Sequence, residues 1–296
     1  RWQEYPSHPL RGWLLTSGLS VFSHLLERCP LQKMLAAFLF GSILSAGCAG
    51  LPPVVTVEDS GETFASGTIL SSETRTPISH ETLINELSDS RVVYIGEVHT
   101  EAAHHEIQLK IIRSLTARKP QSKVGMEMFD FTYQPVLVQW SAGDLEREIF
   151  LKKTQWKVNW GFDFGLYESI LNFVRSENLP LIGLNVPTFL PPRVRAGGLE
   201  NLLARDKELL PSEIDTTNEA HRAFVREAFE RHHFLKATDF EFFYQAQCLW
   251  EDGMAESIAR NLGDASMIVV IGNGHIIFKF GVPDRAYRRT GAPFRT

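Results

Sequence analysis

The sequence predicts an α/β fold: a mostly parallel sheet flanked by helices, with a helical insertion before the last core strand. Three observations predict it. Four short apolar runs, at 92–95, 123–126, 181–184 and 267–271, have the length and composition of strands buried on both faces. Each is followed by a segment with helical spacing or composition, the alternation of an α/β domain. The stretch from about 199 to 262 holds no strand-like run, so a mostly helical piece precedes the fourth strand.

Taken in order, a β-like piece at 68–70 and a turn at Thr76 and Pro77 lead into a helix over about 80–87, with Ser79 as its N-cap. After the first strand, Ile107, Ile111, Ile112 and Leu115 share one helical face. Spacing also puts His104, Gln108 and Ile111 together, so one of the paired His104 and His105 points toward the strand ends and the other away. A helix start is expected near Phe131. Residues 164–175 place Tyr167, Ile170, Leu171 and Val174 on one stripe, and 222–234 and 239–262 read as helices.

Composition narrows the function. The 296 residues carry a formal charge of -5 and a pI near 6.1, against a nucleic-acid partner, which needs clustered Lys and Arg. Cys29, Cys48 and Cys248 form no C-x-x-C pair, which excludes a disulfide scaffold, a zinc ribbon and covalent c-type haem. Any metal or haem must be held by His, Tyr or carboxylates.

Residues 34–57 contain no charge, and the apolar run 35–44 is too short for a membrane span. It reads as the core of a secretory signal ending in Leu44-Ser45-Ala46-Gly47-Cys48, a lipobox-like site with Cys48 as the lipidated residue; an ordinary cleaved signal and a retained anchor or buried helix are the alternatives. The leucine stands one position earlier than in the commonest pattern. Residues 1–47 are thus assigned to a signal and an upstream extension, 48–63 to a lipid-anchored linker and 64–296 to one α/β domain. The chain opens on Arg1, so it is read as a fragment or a trimmed reading frame.

Polar residues gather just past the strands, where open α/β sheets bind ligands. The first strand runs into Gly96-Glu97-Val98-His99, the second into Glu127, the third into Asn185 and the fourth into Gly272-Asn273-Gly274-His275. Two G-x-x-H motifs at matched positions, with Glu127 between them, suit a divalent metal with open positions. The bland alternative is that these residues cap helices or hydrogen-bond within the core. His232 and His233 read as surface residues. Trp156, Trp160, Phe162, Phe164 and Tyr167 read as core packing or as a wall for a flat ligand such as a porphyrin; Tyr167, Tyr133 and Tyr244 could ligate ferric haem. Nucleotide-loop and G-x-S-x-G patterns are absent.

The order of these motifs resembles the ChaN-like haem-binding uptake family, part of a superfamily with the Tiki metalloproteases and erythromycin esterases. The resemblance rests on Gly96 to His99 with His104, His105 and Gln108, on 125–129, 160–167 and 184–187, on 247–250 with Met254 and Ala255, and on 272–275 with Gly281 and Pro283. It covers about 64–289. It implies a haem-binding lipoprotein of iron uptake, extracytoplasmic and anchored to a bacterial membrane, the outer membrane by preference. The haem would be b-type and non-covalent, with a homodimer as a candidate assembly; the family motifs fix no haem ligand, and Tyr167 and His105 stand as candidates from the residues themselves. Its Tiki branch implies the alternative, a metal-dependent hydrolase with Glu97, His99, Glu127 and His275 at the metal and Glu97 or Glu127 as general base. A further strand is expected after Pro283.

Overall fold

Val92 to Ile95 and Met267 to Ile271 are apolar at successive positions because both faces of their sheet are covered. In the computed structural model, which describes residues 54–56, 62–230 and 240–296, these runs become β5 (Val92–Glu97) and β8 (Met267–Gly272). With β6 (Lys123–Asp130), β7 (Leu181–Asn185) and β9 (Phe294–Arg295) they form one parallel sheet in the order β7-β6-β8-β5-β9. All four predicted strands are present. β9, after Pro283, pairs with β5 at Val92 and Val93.

Alternate side chains divide the sheet into two cores. Val93, Ile95, Val124, Met126, Ile268 and Val270 face α1 (His80–Ser88), α2 (Ala102–Arg118), α3 (Gln134–Ser141), α4 (Arg147–Thr154), α5 (Trp156–Asn159) and α6 (Gly165–Ser176). Val92, Tyr94, Leu184, Met267, Val269 and Ile271 face α10 (Phe240–Leu262) and α11 (Val282–Thr290). Between β7 and α10 lie α7 (Leu190–Gly197), α8 (Ala204–Lys207) and α9 (Glu219–Glu230). α10 packs on β7, α7 and α11, so the predicted insertion also supplies one covering layer of the sheet.

Local detail follows the sequence closely. Ser79 caps α1, its side chain accepting from the Thr82 N–H. Tyr167, Ile170, Leu171 and Val174 form the buried stripe of α6. The buried face of α2 differs from expectation: it runs through His105, Gln108, Ile111, Ile112 and Leu115, while Ile107 is 50% exposed. Polar contacts at the sheet edge, described below, hold His105 and Gln108 inside.

Two hairpins precede the sheet. β1 (Val54–Thr56) pairs antiparallel with β2 (Thr63–Ala65), so the stretch read as a tether contains a strand, in keeping with its β-branched Val-Val-Thr run. β3 (Ile69–Leu70) pairs with β4 (Pro77–Ile78); Pro77 thus sits in the strand and the reversal occupies 71–76. Among the described residues no helix is long and apolar enough to cross a membrane. The expected signal, Cys48 and the pair His232 and His233 lie outside the described residues.

Candidate functional site

Glu97 closes β5 and is buried. A buried carboxylate is stable when donors surround it, and Glu97 has three. The Tyr167 hydroxyl donates to Oε1 at 2.6 Å, the Gln108 amide to Oε2 at 2.8 Å, and His99 Nδ1 lies 2.8 Å from Oε1. His105 stands behind them, its Nδ1 3.4 Å from Glu97 Oε2 and 3.1 Å from the Gln108 amide oxygen, and its Nε2 3.1 Å from the His99 carbonyl. Burial and the Glu97 charge hold the Tyr167 phenol well above its ordinary pKa, so it stays a donor.

His99 is the part of this network that reaches the surface, its side chain 28% exposed. Its ring rests on the bare Cα of Gly272, where a Cβ would come within 2.8 Å of Cε1. Trp160 meets it edge-on at 4.7 Å between ring centroids and Phe162 tilts against it at 4.9 Å. Burial pulls its pKa down, but the Glu97 hydrogen bond and the charges of Glu127 and Glu97 carry it above the usual imidazole value. With Nδ1 tied to Glu97, Nε2 is the atom His99 offers to a ligand.

A second carboxylate–imidazole chain lies alongside. Glu127 of β6 accepts the Gly272 N–H at 2.7 Å and faces His275 Nε2 at 3.4 Å. His275 Nδ1 lies 3.4 Å from Glu251 Oε1 of α10 and 3.2 Å from the Gln247 amide. Glu251 in turn faces His221 of α9 at 3.0 Å and Arg285 of α11 at 3.4 Å, while Arg285 also pairs with Asp252. Burial works against the charge on His275, but Glu127 and Glu251 outweigh it and push its pKa up to about 10. Burial likewise opposes ionisation of Glu127, and His275 with His99 and the Gly272 N–H bring it down to about 2. His275 is therefore an imidazolium clamped between carboxylates.

The four residues expected at a metal, Glu97, His99, Glu127 and His275, do converge. They converge as two ion-paired units, and among the described residues no group of three or more His, Cys, Asp and Glu is disposed to hold a metal ion. Tyr167 and His105, expected as haem ligands, are both buried with their polar atoms engaged; they position Glu97 and present nothing to the surface. His104, the more exposed of its pair, accepts the Val98 N–H at 2.9 Å. Tyr133 accepts from Asn159 at 2.6 Å, Tyr244 is buried, and Asn185 ties strands together by donating to the Glu127 carbonyl at 3.1 Å. Of the aromatic stretch, Trp156, Phe164 and Tyr167 are core, and Trp160 and Phe162 are the half-buried pair beside His99. Glu251, His221 and Arg285 escaped the sequence reading. Only Glu251 lies with Asp252 on the long α10; His221 and Arg285 reach it from α9 and α11.

With this geometry in view, residues 83–286 match the family described as "Haem-binding uptake, Tiki superfamily, ChaN". The chain belongs to that family. The ChaN-family match spans every strand of the main sheet except β9 and all the site residues just described. Among solved structures, the chain is similar to ChaN of Campylobacter jejuni, described as showing cofacial haem binding, at 20% identity and a TM-score of 0.63 over 77% of this chain and 88% of that one. An erythromycin esterase variant in its open conformation aligns at 15% identity and a TM-score of 0.45, over 73% of this chain and 71% of that one. No curated protein sequence matches the chain.

Proposed function

We propose that this ChaN-family chain binds haem non-covalently at the carboxyl edge of its sheet, for iron or haem uptake, from a lipid-anchored extracytoplasmic position. Membership of a haem-binding uptake family supports the haem. The charge-free segment ahead of Cys48 supports export and the anchor, with the outer membrane as the expected address. The absence of any C-x-x-C-H sequence argues against covalent attachment and supports a non-covalent, b-type haem. A homodimer bringing two such edges together is part of the reading, in keeping with the cofacial haem binding described for the Campylobacter relative.

One observation carries the proposal. His99, 28% exposed, has Nδ1 locked to a buried carboxylate, leaving Nε2 over Gly272 as its remaining ligand atom, and its ring lies beside two half-buried aromatic rings. A carboxylate behind an imidazole fixes its tautomer and raises its basicity as an iron ligand, and Trp160 and Phe162 suit a flat apolar ring. Haem bound there would supply its own iron chemistry; the chain's part is to orient His99 and wall off water. The hydrolase reading is less favoured, because both nitrogens of His275 face carboxylates that hold charge on its ring.

Haem titration of the purified chain tests this. The wild type should give saturable binding with a shifted Soret band, and His99→Ala should lose at least about tenfold in affinity and move the band, the expected loss of an axial ligand. A wild type without saturable binding sinks the proposal; a variant indistinguishable from it removes His99 from the ligand's reach.

A further inference from the structure

After His275 the chain enters a loop that its residues do not favour. Phe278 and Lys279 both take left-handed backbone conformations, with φ of 54° and 65°. Side chains with a Cβ avoid this region, a bulky aromatic most of all, and such strain persists where the surroundings hold it, often at ligand clamps. Both ends of the loop are fixed to the floor of the site. Ile276 lies over Gly96, where a Cβ would meet its Cδ1 at 2.7 Å, and Gly281 is pressed between the His275 carbonyl and Glu251.

Between those anchors the loop turns its apolar side outward. Ile277 is 40% and Phe278 69% exposed, and Lys279 is exposed beside them. Val98, on the adjacent loop after β5, is 48% exposed. Phe278 is steadied from the side, its ring 5.7 Å from Phe224 of α9 and 5.7 Å from Phe280. An aromatic held outward at conformational cost, next to a cation and on the loop that leaves His275 and is anchored at Gly96, fits a planar apolar ligand bearing carboxylates.

We propose that the loop 276–280 grips the porphyrin, Phe278 packing on the ring and Lys279 pairing with a propionate. The proposal rests on the haem-binding reading and assigns a contact apart from the iron ligand. In the ordinary balance of such contacts, the ring supplies affinity by burial and the cation discriminates for the acidic edge.

The test titrates the full chain with haem, with iron-free protoporphyrin IX and with haem dimethyl ester. Phe278→Gly keeps the left-handed backbone and removes the ring; Phe278→Asn, which also suits that backbone, must reproduce its effect. Both should bind all three ligands about tenfold or more weakly, with the Soret position of bound haem unchanged and the melting temperature of the free protein not lowered. Lys279→Gln should weaken haem and protoporphyrin several-fold and leave the ester unaffected. Wild-type affinities in the Phe278 variants, or equal losses for acid and ester in Lys279→Gln, overturn the proposal while the haem reading stands. A wild type that binds none of the three ligands overturns both.

Discussion

Glu97 owes its fixed position to residues that never touch the surface. Tyr167 donates its shortest hydrogen bond, 2.6 Å to a buried carboxylate, and bonds to charged groups contribute more than neutral ones. Tyr167→Phe should therefore cost about 2 kcal/mol of stability, read as a lower denaturant midpoint at constant slope; an unchanged midpoint would mean Gln108 and His99 suffice. Glu97, His99, Glu127 and His275 were legible in the sequence because polar residues directly after apolar runs have few reasons to be there. Tyr167 and His105 were legible as residues of note, yet their roles were not. Helical spacing tells which face is buried, but whether a buried hydroxyl meets a carboxylate from 70 positions away is set by tertiary packing.

Among the elements, β5 and β8 lie side by side and the backbone of one carries the side chain of the other. Gly272 ends β8 with no Cβ, and the His99 ring occupies the space. Gly272→Ala should push that ring from its seat between Trp160 and Phe162, weakening haem binding about tenfold for a stability loss of about 1–3 kcal/mol; intact haem affinity in a folded variant would show that the seat tolerates a methyl. All four core strands were readable from their apolar runs, as was the buried stripe of α6. The face of α2 was not, since hydrophobicity favoured Ile107 while hydrogen bonding to Glu97 draws in Gln108 and His105. α10 hid its role for a related reason: Glu251 and Asp252 look like exposed helix residues until His275, His221 and Arg285 arrive from other elements.

For the molecule as a whole, the buried pairs set a pH window. His275 is raised from 6.5 to about 10 in the folded chain, so its contribution is complete below about 6.5 and is lost as pH climbs through 10. Glu127 is lowered from 4.5 to about 2, so its contribution is present above 4.5 and is lost as pH falls through 2. Melting temperature should thus be highest between about 4.5 and 6.5 from this pair, and His275→Gln should flatten the alkaline decline; a variant with the same alkaline slope would assign that slope to other groups. The order β7-β6-β8-β5-β9 also bears on how the chain becomes a protein at all. The middle strand is the fourth of five to be made, so β5 and β6 have no common neighbour until residues 267–272 arrive. As the chain is made from its N-terminus, β5 and the β6–β7 pair keep the edges that β8 will join bare until β8 follows, an interval of aggregation risk that ends in one late insertion.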